Sequence, residues 1–325
     1  MLKVYTDLSV IPEGVPPAAA VLPFTAPPAE DARNPDADRW KQYLKDAPEY
    51  LQQVATPEEA DVLICPVQIE HPALKLKEYN WQPLWDWSSK AYATGKPVIG
   101  FLVADFENPI GNGQGLIYKT SGNQLWRRKY EFGYPAMVVD IRESQPFTPV
   151  QVTARPSVSF CGCVSEPRVK PVQELQDCKD LTFNCIPREK VYGFMSPEIL
   201  QTMRKEYIQN MEGCTYALCS RGVGNFSYRI YEVMSAGRIP VYIDTAGLLP
   251  LEKIVPWKEL MVWVQPGQNA AEAVLAFHET HTPQELAELQ MLNREWWKTW
   301  LSPEGFHCRG LKRDLQVNGY LKDQE

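Results

Sequence analysis

Residues 214–250, CTYALCSRGVGNFSYRIYEVMSAGRIPVYIDTAGLLP, contain two short apolar runs with a helical pattern between them. The helix follows a glycine-containing loop, with Asn225 or Ser227 as its N-cap, and Gly237 ends it as a left-handed residue commonly does. The second apolar run, 239–243, follows at once. Two strands joined by a helix form a βαβ unit, so this segment predicts a layered α/β fold.

The same alternation of strands and helices continues along the rest of the chain. Strands are predicted within 2–5, 60–66, 96–109, 116–121, 136–141, 157–162 and 215–220, and helices within 39–54 (interrupted near Pro48), 81–95, 198–213 and 269–301. At 325 residues the chain is long for one domain, and the polar, proline-rich stretch 143–156 predicts a boundary. We expect an N-terminal α/β domain over 1–155 and a C-terminal one over 156–301. The tail, 302–325, is a candidate for return to the first domain.

Composition excludes several classes of protein. The chain is 44% hydrophobic, which excludes disorder throughout, because enough apolar surface exists to offset chain entropy. A formal net charge of −7 excludes general nucleic-acid binding, and the longest basic run, 127–129, is too short for a basic patch. No window reaches the length of about 20 apolar residues that a membrane span needs. We therefore expect a soluble, cytoplasmic protein without a transmembrane segment.

The loop 221–227 and the helix after it carry the residues with the clearest chemistry. Small residues before a helix N-terminus leave amide groups exposed, and the helix dipole favours an anion there. Arg229 lies in the first turn, where only an anion would make a cation favourable, and Arg221 could supply a second cation. Glu232 projects from the same face as Arg229 and suits the two hydroxyls of a ribose. The alternative is a surface Arg229–Glu232 ion pair without a ligand, worth roughly a few tenths of a kcal/mol.

This segment resembles the signature of the exostosin-like glycosyltransferases, the family of heparan-sulfate polymerases and plant cell-wall transferases. The family pattern is an Arg-Gly loop, then Ser-x-Arg-x-x-Glu, small residues, a glycine and Ile-Pro-Val. The residues that match it are Arg221, Gly222, Ser227, Arg229, Glu232, Ala236, Gly237, Ile239, Pro240 and Val241. Residues 248–264 are similar to the family's continuation and 159–162 to its opening strand and turn, so the resemblance covers 157–301. The chain looks like a compact, soluble, microbial type of member.

The resemblance implies a GT-B fold, in which two Rossmann-like domains face each other across a cleft. It implies sugar transfer with inversion, generally without a metal, from a nucleotide-diphosphate donor to a glycan or another hydroxyl acceptor. We expect a UDP-sugar as donor and no other cofactor. Arg229 would pair with the donor diphosphate, Glu232 with its ribose and Arg221 with a further phosphate oxygen. The implied donor-binding residues are Gly162, Arg221, Gly222, Gly224, Asn225, Ser227, Arg229 and Glu232. The cysteine spacings between 161 and 185 are not those of common zinc modules, so no metal site is expected.

Inversion in one displacement needs a base near the acceptor hydroxyl. In two facing domains the base would come from loops after N-terminal strands, where Asp105, Asp7 and Glu70 are the catalytic candidates. Asp105 ranks first because it follows the strongest apolar strand, although an acid at a strand end is also commonly a cap or turn residue. Glu107 and His71 are further candidates for the base, Tyr118, Lys119 and Ser121 for ligand contact, and Trp81, Trp85 and Trp87 for sugar stacking or core packing.

Two other classes of function stay open at this point. A non-catalytic nucleotide-sugar-binding or glycan-binding protein would keep the fold and bind donor without turnover. A structural or interaction protein would carry the Arg229–Glu232 pair with no ligand. The intact motif favours the transferase, while the fold alone fixes neither donor, acceptor nor oligomeric state.

Overall fold

Two fully parallel β-sheets form the framework of the chain in a computed structural model. The described residues are 1–11, 13, 15–25, 37–68, 89, 92–110, 115–142, 147–189 and 196–322. All eight cysteines are free thiols. No helix in these ranges combines the length and the apolar character that crossing a bilayer requires.

The first sheet is built from the N-terminal half of the chain. Its strands are β1 (Leu2–Tyr5), β2 (Leu51–Gln53), β3 (Val62–Gln68), β4 (Val98–Leu102), β5 (Leu116–Lys119) and β6 (Glu131–Gly133), and helix α1 (Lys41–Tyr50) precedes β2. The strand order is β2-β1-β3-β4-β5-β6, with every pair parallel. Strands β3, β4 and β5 are buried almost throughout, as their continuous apolar sequences indicate. The order reverses between β1 and β3, and sheets of this kind bind ligands at the carboxyl ends beside such a reversal.

The second sheet repeats this plan in the C-terminal half. It contains β7 (Ser157–Cys163), β8 (Thr182–Arg188), β9 (Tyr216–Cys219), β10 (Ile239–Ile243) and β11 (Val262–Val264), with helices α2 (Val169–Asp177), α3 (Pro197–Glu212), α4 (Tyr228–Ser235), α5 (Ala270–Glu279) and α6 (Pro283–Trp296). The parallel order is β11-β10-β9-β7-β8, so the reversal lies between β7 and β9. Strands β9 and β10 with α4 form the βαβ unit predicted from the sequence. Gly237 has a φ of 62°, the left-handed conformation expected of the residue that ends α4.

A run of short helical segments after α6 packs against the first sheet. The segments are Trp297–Leu301, α7 (Pro303–Gly305), Phe306–Gly310 and α8 (Leu311–Val317). The Tyr118 hydroxyl on β5 donates to Asp314 Oδ2 at 2.8 Å. Burial lowers the pKa of His307 to about 4, so its neutral ring donates from Nδ1 to the Pro303 carbonyl and accepts at Nε2 from the Tyr134 hydroxyl. The tail thus contacts the N-terminal half, while the domain limits at 155 and 301 stay predictions.

The predicted α/β class is confirmed, as is the GT-B prediction of two Rossmann-like sheets. Most strands lie where the sequence predicts them. The predicted strand 136–141 is wrong. Its residues are largely buried without joining a sheet, because Ser235 on α4 donates to the Val139 carbonyl and accepts from the Ile141 amide. The edge strand of the first sheet is β6 instead. The apolar character of 136–141 reflects burial against α4 rather than strand pairing.

Two predicted boundaries also differ from the structure. Helix α1 continues past Pro48, because the amide of Leu51 still donates to the carbonyl of Ala47, and the end of the predicted helix forms β2. Strand β3 continues through Pro66, whose carbonyl accepts from the Ala18 amide at 2.8 Å. A proline therefore ends neither element, since each keeps the hydrogen bonds that do not need the missing N–H group.

Candidate functional site

The loops that follow β7 and β9 enclose the reversal point of the second sheet. Strand β9 ends at Cys219, and the loop 220–227 leads into α4, whose N-cap is Ser227. Among the described residues the Ser227 hydroxyl makes no capping bond, so it does not accept from the first amide groups of α4. The position of this N-cap agrees with one of the two predicted alternatives. The loop therefore offers backbone donors at the carboxyl edge of the sheet.

The Arg229 side chain lies against the carboxyl ends of β7 and β9 in this region. Its guanidinium donates to the Cys161 carbonyl at 2.6 Å and to the Leu218 carbonyl at 3.3 Å, at the ends of β7 and β9. The group also lies over the Phe160 ring, 4.5 Å from its centroid. A methyl group on Gly162 would lie 2.9 Å from Arg229 Nη2, so the missing side chain at 162 makes room for the guanidinium. The sequence prediction that Gly162 and Arg229 belong to one site is consistent with this proximity.

Arg168 is a second cation here that the sequence analysis did not identify. It precedes α2 and donates from Nε to the Arg221 carbonyl at 3.0 Å and from Nη1 to the Cys163 carbonyl at 3.2 Å. Burial and then the positive charge of Arg229 lower the pKa of Arg168. Among the described residues, the hydrogen bonds of these two mutually repelling guanidinium groups go to uncharged atoms, so an anion would complete the site.

Ser220 adds an unpaired hydroxyl at the same edge. It is the first residue after β9, it is 1% exposed, and its Oγ has no hydrogen-bond partner among the described residues. A buried hydroxyl without a partner is unfavourable by roughly 1–3 kcal/mol unless a ligand or water completes it. Thr6, directly after β1 at the reversal point of the first sheet, has the same property. Within the part of the chain that the structure describes, each sheet thus has an unsatisfied hydroxyl at the edge where ligands bind in folds of this kind.

Glu232 belongs to a network on the other side of Arg229. Its carboxylate accepts from Arg204 at 2.7 Å and from the Tyr207 hydroxyl at 2.5 Å, and Tyr207 also accepts from Arg229 Nε at 3.4 Å. The salt bridge of Glu232 in the described structure is with Arg204 on α3. The alternative of a simple surface pair between Arg229 and Glu232 is therefore wrong. Arg204 and Tyr207 are functional candidates that only the packing of α3 against α4 brings to the site.

The tip of the loop 220–227 packs against the first sheet. The Asn225 amide donates to Ser121 Oγ at 2.8 Å, and the Asn225 side chain donates to the carbonyls of Gly122 and Thr245. Its Oδ1 accepts from the Thr245 hydroxyl at 2.6 Å. Asn225 is fully buried, and its polar groups are used in these bonds, which connect the two halves of the chain.

The base candidates differ in what surrounds them. Asp105, after β4, is exposed, and among the described residues its carboxylate has no recorded hydrogen bond or ion pair. Asp7 accepts from the amide and hydroxyl of Ser9, as a turn residue does. Glu107 forms an ion pair with Arg221 that joins the two halves. Glu70, His71, Trp81, Trp85 and Trp87 lie outside the described residues, as does most of the predicted helix 81–95.

Two residues expected to contact ligand have other roles. Lys119 is buried, donates to the Asn108 carbonyl at 2.8 Å and pairs with Glu131 at 3.8 Å. Lys119 thus contacts the segment that follows Asp105. Tyr118 is buried against Asp314, as described above. Within the described ranges, no group of three or more His, Cys, Asp or Glu side chains could hold a metal ion.

Replacing Gly224 with alanine is expected to separate the facing loops. An added Cβ would lie 2.6 Å from Asp105 Oδ1, 2.9 Å from its Cα and 3.0 Å from Ser121 Oγ. We expect a loss of about 1–3 kcal/mol in the free energy of unfolding, measured by urea denaturation. Gly222→Ala is the matched control, since its nearest contact would be the flexible Arg168 Nη2 at 3.4 Å. Equal stability of the two variants would contradict this packing.

Known proteins resemble this chain only over a short segment in sequence, or at low identity in structure. No known family model matches the chain. A segment of 60 residues, 18% of this chain and 8% of the relative, is 35% identical to Exostosin-1 of Drosophila melanogaster. Among solved structures, Anabaena Alr3699/HepE in complex with UDP-glucose is 12% identical, with a TM-score of 0.38, over 96% of this chain and 100% of that one. A glycosyltransferase from Rickettsia africae is 12% identical, with a TM-score of 0.42, over 92% and 85% of the two chains. The Exostosin-1 segment agrees with the motif resemblance without establishing membership of that family.

Proposed function

We propose that the chain is a glycosyltransferase that moves a sugar from a nucleoside-diphosphate donor to a hydroxyl acceptor, with inversion and without a catalytic metal. One observation carries the proposal: the guanidinium groups of Arg168 and Arg229 lie close together at the reversal point of the second sheet, with uncharged hydrogen-bond partners. A diphosphate would place negative charge directly against both groups. The exostosin-like signature around Arg229 and the Exostosin-1 segment support the same class.

The donor would lie along the loop 220–227, with its phosphates between Arg168 and Arg229. The first amides of α4 and the unpaired Ser220 hydroxyl would add donors. Glu232 would accept from the ribose, because a carboxylate oxygen that already accepts one bond has a further lone pair. Arg221 pairs with Glu107 across the two halves through Nη2, and its other guanidinium nitrogens could donate to a phosphate.

The chemistry follows from this charge distribution. In a displacement at the sugar carbon, negative charge develops on the departing nucleoside diphosphate, and fixed cations stabilise it without reorganisation. A base on the opposite face must take the proton of the acceptor hydroxyl. Asp105 is our choice, because its exposed carboxylate stands beside Gly224 of the donor loop. Asn225 forms hydrogen bonds to both halves of the chain, so its role in donor binding would be to fix the shape of the loop 220–227. A UDP-sugar donor and a cytoplasmic location stay predictions.

The test is release of nucleoside diphosphate by the purified protein. A panel of UDP-sugars and GDP-sugars is incubated with mixed glycan acceptors in EDTA, and calorimetry measures binding in parallel. We expect micromolar binding of one nucleotide class and acceptor-dependent release from its sugars. Binding without release for any acceptor would indicate a non-catalytic nucleotide-sugar-binding protein. Absence of both in a folded sample would overturn the proposal.

A further inference from the structure

A turn after β5 presents two large apolar side chains to solvent. Leu125 is 78% exposed and Trp126 is 49% exposed. We call these two residues the apolar tip. Single exposed apolar residues are common on protein surfaces, but two adjacent ones at the end of a turn form a protruding feature.

The apolar tip is held in place by hydrogen bonds that main-chain amides donate. The Leu125 amide donates to Asn123 Oδ1 at 2.9 Å, and the Arg127 amide donates to the Asn123 carbonyl at 3.0 Å. The Gln124 amide donates to the Ala246 carbonyl at 2.9 Å, which fixes the turn to the second half. Exposure of the tip is therefore a property of an ordered turn.

The charges beside the tip are unevenly compensated. Arg127 makes a bidentate pair with Glu252, at 2.7 and 3.0 Å. Arg128 and Lys129 are exposed, and among the described residues neither side chain has a recorded carboxylate partner. A chain with a net charge of −7 thus places next to its apolar tip two cations that no described carboxylate compensates.

We propose that the apolar tip docks on the surface of an anionic lipid bilayer. A leucine and a tryptophan that protrude from a convex turn can enter the headgroup boundary, where tryptophan is favoured, and neighbouring cations add attraction to anionic lipids. The exposed Arg128 and Lys129 beside the tip complement the negative surface of such a bilayer, which favours it as the occupant. The site beside Ser121 and Asn225 lies only a few residues along the chain from the tip, so docking would bring it close to the membrane. The inference is independent of the proposed function.

Vesicle sedimentation tests this docking on the full chain. Phosphatidylcholine vesicles with about one-third phosphatidylglycerol are compared with pure phosphatidylcholine vesicles. We expect wild-type protein to pellet with the anionic vesicles and to be released as salt rises from about 0.05 to 0.5 M. The double variant Leu125→Ser/Trp126→Ser should lose at least about fivefold of the bound fraction, and Arg128→Glu/Lys129→Glu should lose it as well.

The matched control changes two exposed apolar residues elsewhere. Met291 and Leu292 on α6 are 47% and 41% exposed, and Met291→Ser/Leu292→Ser should bind vesicles as the wild type does. Equal pelleting with neutral and anionic vesicles, equal losses in both serine variants, or no binding at all would overturn the proposal. Circular dichroism shows whether the tip variants fold, and nucleotide binding, measured separately, bears on the proposed function alone.

Discussion

Replacing Arg229 with alanine is expected to weaken binding of the preferred nucleoside diphosphate by at least about 100-fold, because a charge-assisted, forked partner of the diphosphate is removed from a half-buried site. Arg229→Lys should recover only part of the affinity, since an ammonium keeps the charge and loses the fork. Isothermal titration in EDTA with UDP and GDP measures both effects.

Arg155→Ala controls for the loss of structural hydrogen bonds. Arg155 also donates from its guanidinium to two carbonyls, those of Lys179 and Leu181, but at the amino-terminal edge of the same sheet. We expect this variant to lose some stability and to bind nucleotide as the wild type does. Wild-type affinity in Arg229→Ala would remove the main support for the donor site. Equal loss in both arginine variants would mean that the effect is one of folding.

Arg168 shows where sequence reasoning about this site reaches its limit. Arg229 was identifiable because it lies in a local pattern, the loop and first helical turn of one βαβ unit. Arg168 lies 53 residues before its hydrogen-bond partner Arg221. Only the pairing of β7 with β9 brings the two loops together, and the spacing of residues along the chain does not specify which strands become neighbours.

The fold was predictable to the extent that local patterns determine it. Buried parallel strands appear as continuous apolar runs, and helix ends are marked by residues such as Gly237, so both could be read directly. The segment 136–141 has the same apolar character for a different reason, since it is buried beneath α4 without strand partners. A buried segment without strand partners and a paired buried strand both show a short stretch of apolar residues. Only the three-dimensional structure distinguishes the two cases.

The position of Asp105 beside the loop 220–227 could not be predicted from the sequence, for the same reason. Its place after a strong strand could be predicted, and that placement alone also fits an ordinary turn residue. The structure adds that a side chain on Gly224 would collide with Asp105, so the carboxylate of one half stands at the loop of the other. Asp7, by contrast, is occupied in capping Ser9. This arrangement is consistent with Asp105 as the first candidate for the base, which stays a prediction.

Asp105→Asn is expected to lower turnover by about 10²–10⁴-fold, the range typical of a lost general base, while nucleotide affinity stays at the wild-type value. The amide is nearly isosteric with the carboxylate, so the contact with Gly224 is kept and only the proton acceptor is lost. Single-turnover release of nucleoside diphosphate measures the chemical step, and calorimetry measures binding on the same samples.

Asp61→Asn is the matched control, because Asp61 accepts from the Lys3 amide at the amino-terminal edge of the same sheet, away from the facing loops. It should retain full turnover. Asp7→Asn and Glu70→Gln separate the remaining base candidates. Turnover that survives in Asp105→Asn and disappears in one of those two would transfer the role of base to that residue. A loss of nucleotide affinity in Asp105→Asn would indicate that Asp105 instead maintains the closed contact between the two halves, since a base on the acceptor side has no reason to stabilise bound diphosphate.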